Sequence, residues 1–123
     1  MSLYAMLKPH GPSGFGYGST AQEVVRDLDL SGKTILLTGC NSGIGAEALR
    51  ALAGRGATVL GAARDEEKAR AACAGAPGSV PVVCELSEPS AVRACVARVK
   101  ERGVPLAAII CNAGIMAPPK LCV

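Results

Sequence analysis

Apolar runs alternate with amphipathic stretches along the chain from Thr34 onward. The runs predict strands at 34–38, 57–62, 80–84 and 106–111. The stretches between them predict helices at 43–54, at 65–74 and from about 87 to Gly103. Strands that alternate with helices favour right-handed crossovers, and therefore an α/β fold with a parallel sheet and helices on both faces.

Local signals place the ends of the first and last helices. The overlapping capping boxes Ser19-x-x-Gln22 and Thr20-x-x-Glu23 predict a short helix that ends near Asp29. Ser87 is predicted to cap the last helix, with Pro89 in its first turn. The apolar stripe expected on that helix is Val92, Cys95, Val96 and Val99. Residues 1–18 are rich in Gly, Pro and Ser, so we expect a leader or loop there and a folded unit at 19–123.

A glycine-rich turn, Thr38-Gly39-Cys40-Asn41-Ser42-Gly43-Ile44-Gly45, joins the first predicted strand to its helix. Such a turn points unpaired N–H groups at the positive end of the helix, where a phosphate is stabilised. We expect Gly39 to permit the tight turn, Gly43 to let the backbone approach a pyrophosphate, and Gly45 to let helix and strand pack closely. The turn predicts a dinucleotide site that includes Gly39, Asn41, Ser42, Gly43, Ile44 and Gly45.

The glycine spacing here is G-x-x-x-G-x-G rather than G-x-G-x-x-G. With Thr38 ahead and Ile44 between the last two glycines, it resembles the short-chain dehydrogenase/reductase family. Cys111-Asn112-Ala113-Gly114 similarly resembles the family's Asn-Asn-Ala-Gly element after its fourth strand, with Cys111 in place of the first Asn. The resemblance implies a Rossmann-type sheet of strand order 3-2-1-4, cut off before the family's later strands.

The segments before the first strand narrow the resemblance to one branch. Gly14-Phe15-Gly16, the run Ser-Thr-Ala-Gln-Glu-Val-Val at 19–25 and Leu-Ser-Gly-Lys-Thr at 30–34 resemble the leader of that branch. It includes retinol dehydrogenases, the WW-domain oxidoreductase and a related chloroplast-envelope dehydrogenase. The resemblance runs from about Gly14 to Leu121, and a typical member is twice as long. We therefore expect this chain to be the N-terminal half.

The end of the second predicted strand bears on the choice of coenzyme. NAD sites place an Asp or Glu there, whereas this strand ends Gly61-Ala62-Ala63-Arg64. Arg64 is placed to bind a 2′-phosphate, which favours NADP(H) over NAD(H). The alternative is that Arg64 merely begins the next helix in solvent while Asp65 contacts the ribose.

Two further segments complete the predicted coenzyme site. Glu85 and Leu86 stand where the family commonly has Asp-Leu against the adenine; alternatively, Glu85 is a charge near the cap of the next helix. The resemblance places Asn112, Ala113 and Gly114 on the ribose and nicotinamide side, with Ile115 continuing that wall. The alternative there is a simple turn that requires only Gly114.

No catalytic residue is assigned to this chain. The family transfers hydride between nicotinamide and a carbonyl or alcohol, using a Ser and a Tyr-x-x-x-Lys that follow the Asn-Ala-Gly element. Residues 115–123 contain neither, and Tyr4-x-x-x-Lys8 precedes the glycine turn and is expected to be a chance match. We expect the NADP(H)-binding half of an oxidoreductase acting on a small carbonyl or alcohol. A nucleotide-binding or regulatory module without catalysis and a non-functional fragment remain alternatives.

Composition argues against other classes of function. A net charge of +3 with one Phe and two Tyr offers no stacking platform for nucleic acid, and no apolar run reaches the length of a membrane span. The six cysteines stand singly, which with one histidine disfavours zinc and favours buried, reduced thiols, including Cys84, Cys95 and Cys111. We expect a cytoplasmic protein. The leader is acid-free, like a transit peptide, but contains no arginine, so location in a plastid or at a membrane surface remains an alternative. The fourth strand is expected to be an exposed apolar edge at which the chain can self-associate.

Overall fold

The computed structural model describes residue 3 and residues 7–115, so Tyr4 and Cys122 lie outside it. From residue 20 onward the elements are α1 (Ala21–Val25), β1 (Thr34–Thr38), α2 (Gly43–Gly54), β2 (Thr58–Ala63), α3 (Glu66–Ala74), β3 (Ser79–Val83), α4 (Pro89–Glu101) and β4 (Ala108–Ile110). Residues 9–18 form turns and loop, whereas Leu3 and Leu7 are helical. None of the helices described is long and apolar enough to cross a membrane.

The four strands form one parallel sheet in the order β3-β2-β1-β4, which confirms the predicted topology. β1 lies between β2, paired from Thr34↔Thr58, and β4, paired from Ile35↔Ala108. In a parallel sheet the carboxyl ends of all strands lie on the same side. The segments that follow β1, β2, β3 and β4 therefore meet there. From β1 the chain continues to β2 and β3 on one side, and from β3 it crosses back to β4 on the other side of β1. A ligand crevice forms at such a switch point.

The core consists of two layers of small aliphatic side chains and thiols, one on each face of the sheet. One face buries Leu37, Leu49 and Val59 under α2 and α3, and the other buries Leu60 and Cys95 under α4. On α4, Val92 and Val99 pack beside Cys95, as the predicted stripe requires. Val96 does not pack there and is 47% exposed, because it lies about 100° around the helix from Cys95.

The N-terminal helix uses the second of the two predicted capping boxes. Thr20 Oγ1 accepts from Glu23 N at 3.2 Å, and Glu23 Oε2 accepts from Thr20 N at 2.7 Å. The prediction that α1 runs to Asp29 was wrong, since it ends at Val25. The segment that follows is held against the end of α2: Arg55 Nε donates to Leu28 O at 2.7 Å.

The N-cap of the last helix lies one residue later than predicted. Glu88 is the N-cap, because Ser87 donates both its N–H and its hydroxyl to Glu85 instead. Pro89 occupies the first turn as predicted, and Gly103 lies two residues beyond the helix end with φ +64°. β4 has three residues instead of the six predicted, since its pairing with β1 extends only from Ile35↔Ala108 to Leu37↔Ile110.

The outer edge of β3 carries a proline. Cys84, which directly follows β3, donates its N–H to Ala63 O of β2 at 2.8 Å. N–H groups alternate sides along a strand, so Pro81 holds a position whose N–H would point away from the sheet. Pro81 is exposed and therefore removes a donor from the open side of β3 without breaking the ladder.

Candidate functional site

A cleft of about 970 Å³ opens at the carboxyl ends of the strands. All twelve residues predicted for a dinucleotide site line it: Gly39, Asn41, Ser42, Gly43, Ile44, Gly45, Arg64, Glu85, Leu86, Asn112, Ala113 and Gly114. Ile115 lines it as well, and the prediction omitted other lining residues, among them Thr38, Cys84 and Ser87. The structure thus brings together segments that follow all four strands.

Each of the three glycines in the turn is required for a different structural reason. Gly39 has φ +68°, and a Cβ there would lie 2.8 Å from the Cα of Ala113. A Cβ at Gly45 would collide with the carbonyl oxygen of Gly39, so Gly45 permits the close approach of α2. Gly43 has φ +54°, and no described atom lies within 4 Å of where its Cβ would be. Its backbone therefore faces open space, as an approaching phosphate would require.

Thr38 and Asn112 connect the turn to the segment after β4. Thr38 Oγ1 accepts hydrogen bonds from Asn112 N at 3.2 Å and Ala113 N at 3.1 Å. The Asn112 side-chain amide donates to Thr38 O and Gly39 O, each at 3.2 Å. Asn112 therefore links the glycine turn after β1 to the segment after β4 at the base of the cleft. The simpler turn that needs only Gly114 is disfavoured, since Gly114 has no positive φ and no described atom lies within 4 Å of where a Cβ on it would be.

The N-terminus of α2 presents its positive end to the cleft. Ser42 is the N-cap, but its side chain accepts no hydrogen bond from the helix, and the first turn contains no acidic residue. Ile44 beside it is 82% exposed. The first-turn N–H groups are thus without a carboxylate or hydroxyl cap, and the helix dipole favours an anion at that point.

Arg64 projects from the end of β2, and its side chain is 66% exposed. The neighbouring carboxylate of Asp65 caps α3, accepting from Lys68 N at 2.9 Å and Lys68 Nζ at 2.6 Å. Those bonds are the main reason that the pKa of Asp65 is lowered, and Arg64, at 3.9 Å, contributes least. Asp65 is therefore engaged mainly by its own helix, and its long ion pair with Arg64 leaves most of the Arg64 side chain exposed at the cleft.

Glu85 organises the loop between β3 and α4. Its Oε1 accepts from Ser87 N at 3.1 Å and Ser87 Oγ at 2.9 Å. These two bonds lower the pKa of Glu85, and the positive charge of Arg64 lowers it further. The alternative of a charge near the helix cap thus describes one role of Glu85, while its position on the cleft wall beside Leu86 is compatible with the predicted adenine contact.

The thiols near the site differ in burial. Cys40 and Cys84 are buried, and burial raises the pKa of Cys40 to about 11. The prediction that Cys111 is buried was wrong: it is exposed, because within residues 7–115 β4 has a neighbouring strand on one side only. Within residue 3 and residues 7–115, no cluster of three or more His, Cys, Asp or Glu side chains could hold a metal.

Comparison with known proteins identifies what this arrangement is similar to. The family model described as short chain dehydrogenase matches residues 33–121. The chain is 36% identical over 126 residues to the chloroplastic short-chain dehydrogenase TIC 32 B of Brassica napus, covering 97% of this chain and 39% of that protein. It is 33% identical over 114 residues to the WW domain-containing oxidoreductase of Danio rerio, covering 88% and 28%.

Solved structures give the same result. A short-chain type dehydrogenase/reductase from Mycobacterium marinum is 36% identical with a TM-score of 0.66, covering 76% of this chain and 39% of that one. A metagenomic short-chain oxidoreductase in complex with NADP is 34% identical with a TM-score of 0.64, covering 72% and 42%. This chain spans about two fifths of the length of the first of these relatives.

Proposed function

The chain belongs to the short-chain dehydrogenase/reductase family, and from that premise we propose that it forms the coenzyme-binding part of an NADP(H)-dependent oxidoreductase. One observation carries the proposal: the glycine turn, the ends of β2 and β3 and the Asn-Ala-Gly segment line a single cleft beside the uncapped N-terminus of α2. These residues supply N–H donors and a cation, the groups that a phosphorylated dinucleotide requires.

Each wall of the cleft has a proposed role. The backbone from Ser42 to Ile44 binds the pyrophosphate, and Arg64 binds the 2′-phosphate. Glu85 and Leu86 lie against the adenine, and the segment from Asn112 to Gly114 lies along the ribose and nicotinamide. Bound NADP(H) would supply the hydride donor or acceptor, while this chain positions it.

The preference for NADP(H) rests on the two residues after β2. A ribose 2′-hydroxyl calls for a free carboxylate, but the Asp65 carboxylate is held by two hydrogen bonds from Lys68. The exposed Arg64 guanidinium instead suits a phosphate dianion through charge-assisted bonds. The NADP complex of a similar protein is consistent with this choice.

Fluorescence titration of the chain with NADPH and NADH tests the proposal. We expect NADPH to bind more tightly, and Arg64→Gln to weaken NADPH by about tenfold while changing NADH little, as for loss of a charge-assisted bond. Arg70→Gln is the matched control, since Arg70 is an exposed arginine of α3 that pairs with Glu66 away from the cleft. Tighter binding of NADH would overturn the NADP(H) assignment, and binding of neither coenzyme would overturn the proposal.

The activity proposed for a protein of the relatives' length is hydride transfer to or from a small carbonyl or alcohol. An NADPH-oxidation assay against aldehydes and ketones tests that activity. The protein assayed must continue beyond this sequence and contain a Tyr-x-x-x-Lys after Gly114. Coenzyme binding without turnover in that protein would favour a binding module instead.

We also propose that the edge of β4 is where the 123-residue chain associates with a second copy. Ala107 and Ala108 are exposed, and Ile109 is 60% exposed. Ile109→Lys should lower the sedimentation-derived mass if dimers form, whereas Val24→Lys, a similar change on exposed α1, should not. A monomer at all concentrations would contradict the proposal.

A further inference from the structure

We propose that Ser87 is a positioning residue for coenzyme selection: it holds Glu85 in the β3–α4 loop and so keeps that carboxylate from neutralising Arg64. The inference rests on the proposed function, because it concerns the cation assigned to the 2′-phosphate. It adds a residue that does not itself reach the phosphate but controls the charge available to it.

The restraint on Glu85 is local and has two donors. The backbone N–H and the hydroxyl of Ser87 converge on the same oxygen, Oε1, at 3.1 and 2.9 Å. The backbone of the loop is closed as well, since Glu88 N donates to Glu85 O at 3.2 Å. The carboxylate is thereby fixed to its own loop rather than left to rotate across the cleft.

Arg64 and Glu85 line the same cleft. The charge of Arg64 is one cause of the lowered pKa of Glu85, yet no ion pair joins them among the described residues. The other carboxylate beside Arg64, Asp65, is similarly engaged by Lys68. Asp65 Oδ2 also forms an exposed ion pair with Arg64 Nε, but at 3.9 Å it is much longer than the 2.6 Å contact with Lys68 Nζ. Both acids near the guanidinium thus have closer donors, and a carboxylate released from its donor would compete with a phosphate for Arg64.

The test is a double-mutant cycle with NADPH and NADH titrations of the 123-residue chain. Ser87→Ala removes the hydroxyl donor, and we expect it to lower the NADPH-to-NADH affinity ratio by about threefold to fivefold, the factor for one exposed ion pair. Glu85→Gln removes the competing charge, so adding Ser87→Ala to it should leave the ratio unchanged. Ser87→Thr keeps both donors and should keep the ratio of the parent chain.

A second measurement follows the restraint itself. In an NMR titration of the carboxyl carbons, Ser87→Ala should raise the pKa of Glu85 toward its ordinary value, while Ser87→Thr should not. An unchanged pKa, or equal loss of NADPH and NADH affinity, would overturn this proposal while leaving the proposed function intact. A parent chain that binds neither coenzyme would overturn the proposed function, and with it any role of Ser87 in selection.

Discussion

Asn112 donates two hydrogen bonds to Thr38, one from its backbone to the hydroxyl and one from its side-chain amide to the carbonyl, both at 3.2 Å. The pair joins the end of β1 to the segment after β4, 74 residues further along the chain. The Thr38 hydroxyl also lies 3.5 Å from Ile110 O, which it can reach as a donor. The Thr38 hydroxyl and the Asn112 amide therefore join the two walls of the cleft that follow these strands.

Replacing Thr38 by Val should weaken the fold while keeping the side-chain volume, because Ala113 N loses its acceptor and Asn112 N keeps only Ile110 O. We expect a loss of about 1–3 kcal/mol in the free energy of unfolding, measured by urea denaturation. Thr38→Ser retains the hydroxyl and should recover most of the loss. Equal stability of the Val and Ser variants would show that these bonds contribute nothing.

Gly45→Ala should disrupt the turn, because a Cβ would collide with the Gly39 carbonyl and lie 2.6 Å from Asn112 Nδ2. We expect about 1–3 kcal/mol of destabilisation by overpacking, together with loss of coenzyme binding. Gly54→Ala is the control in the same helix, since no described atom lies within 4 Å of its Cβ position. That variant should gain stability, up to about 1 kcal/mol, and bind normally.

The Asp65 cap should make stability depend on pH. Its pKa is lowered in the folded chain from an ordinary value of 3.8, so its contribution is present above that value and is lost as the pH falls through the folded pKa. The Tm deficit of Asp65→Ala relative to the parent should thus be full at pH 7 and shrink below pH 4. Asp65→Asn retains a capping acceptor without the charge and should fall between the two. A deficit that stays constant with pH would contradict this role.

Thiol labelling should separate Cys111 from the buried cysteines. Burial raises the pKa of Cys40 and Cys95 to about 11, so only about one thiol in a thousand would be ionised at pH 8. We expect peptide mapping after brief alkylation to find Cys111 modified and Cys40, Cys73, Cys84 and Cys95 protected until the chain unfolds. Rapid modification of Cys40 in the folded chain would contradict the packing described above.

The sequence predicted the sheet order and the residues that gather at the cleft. The alternation of strands and helices indicated the parallel sheet, whereas its strand order and the cleft residues after β3 and β4 followed from the resemblance to a family. Glycine spacing marks the turn after β1, and an apolar run before Asn112 marks the end of β4. What it missed depends on pairs of residues. Ser87 is a residue type that commonly caps helices, but its N–H and hydroxyl donate to Glu85, two residues earlier. The burial of Cys111 depends on whether a strand lies beyond β4. Coenzyme binding by these residues stays a prediction.

Pro81 determines which edge of the sheet can accept another strand. With one outward donor missing from β3, a new strand finds an incomplete hydrogen-bonding ladder on that side. The far side of β4 carries no such block among the described residues, and Ala108 and Ile109 are apolar and exposed. Any strand that enlarges this sheet, whether from the same polypeptide or from another molecule, is therefore directed to join at β4.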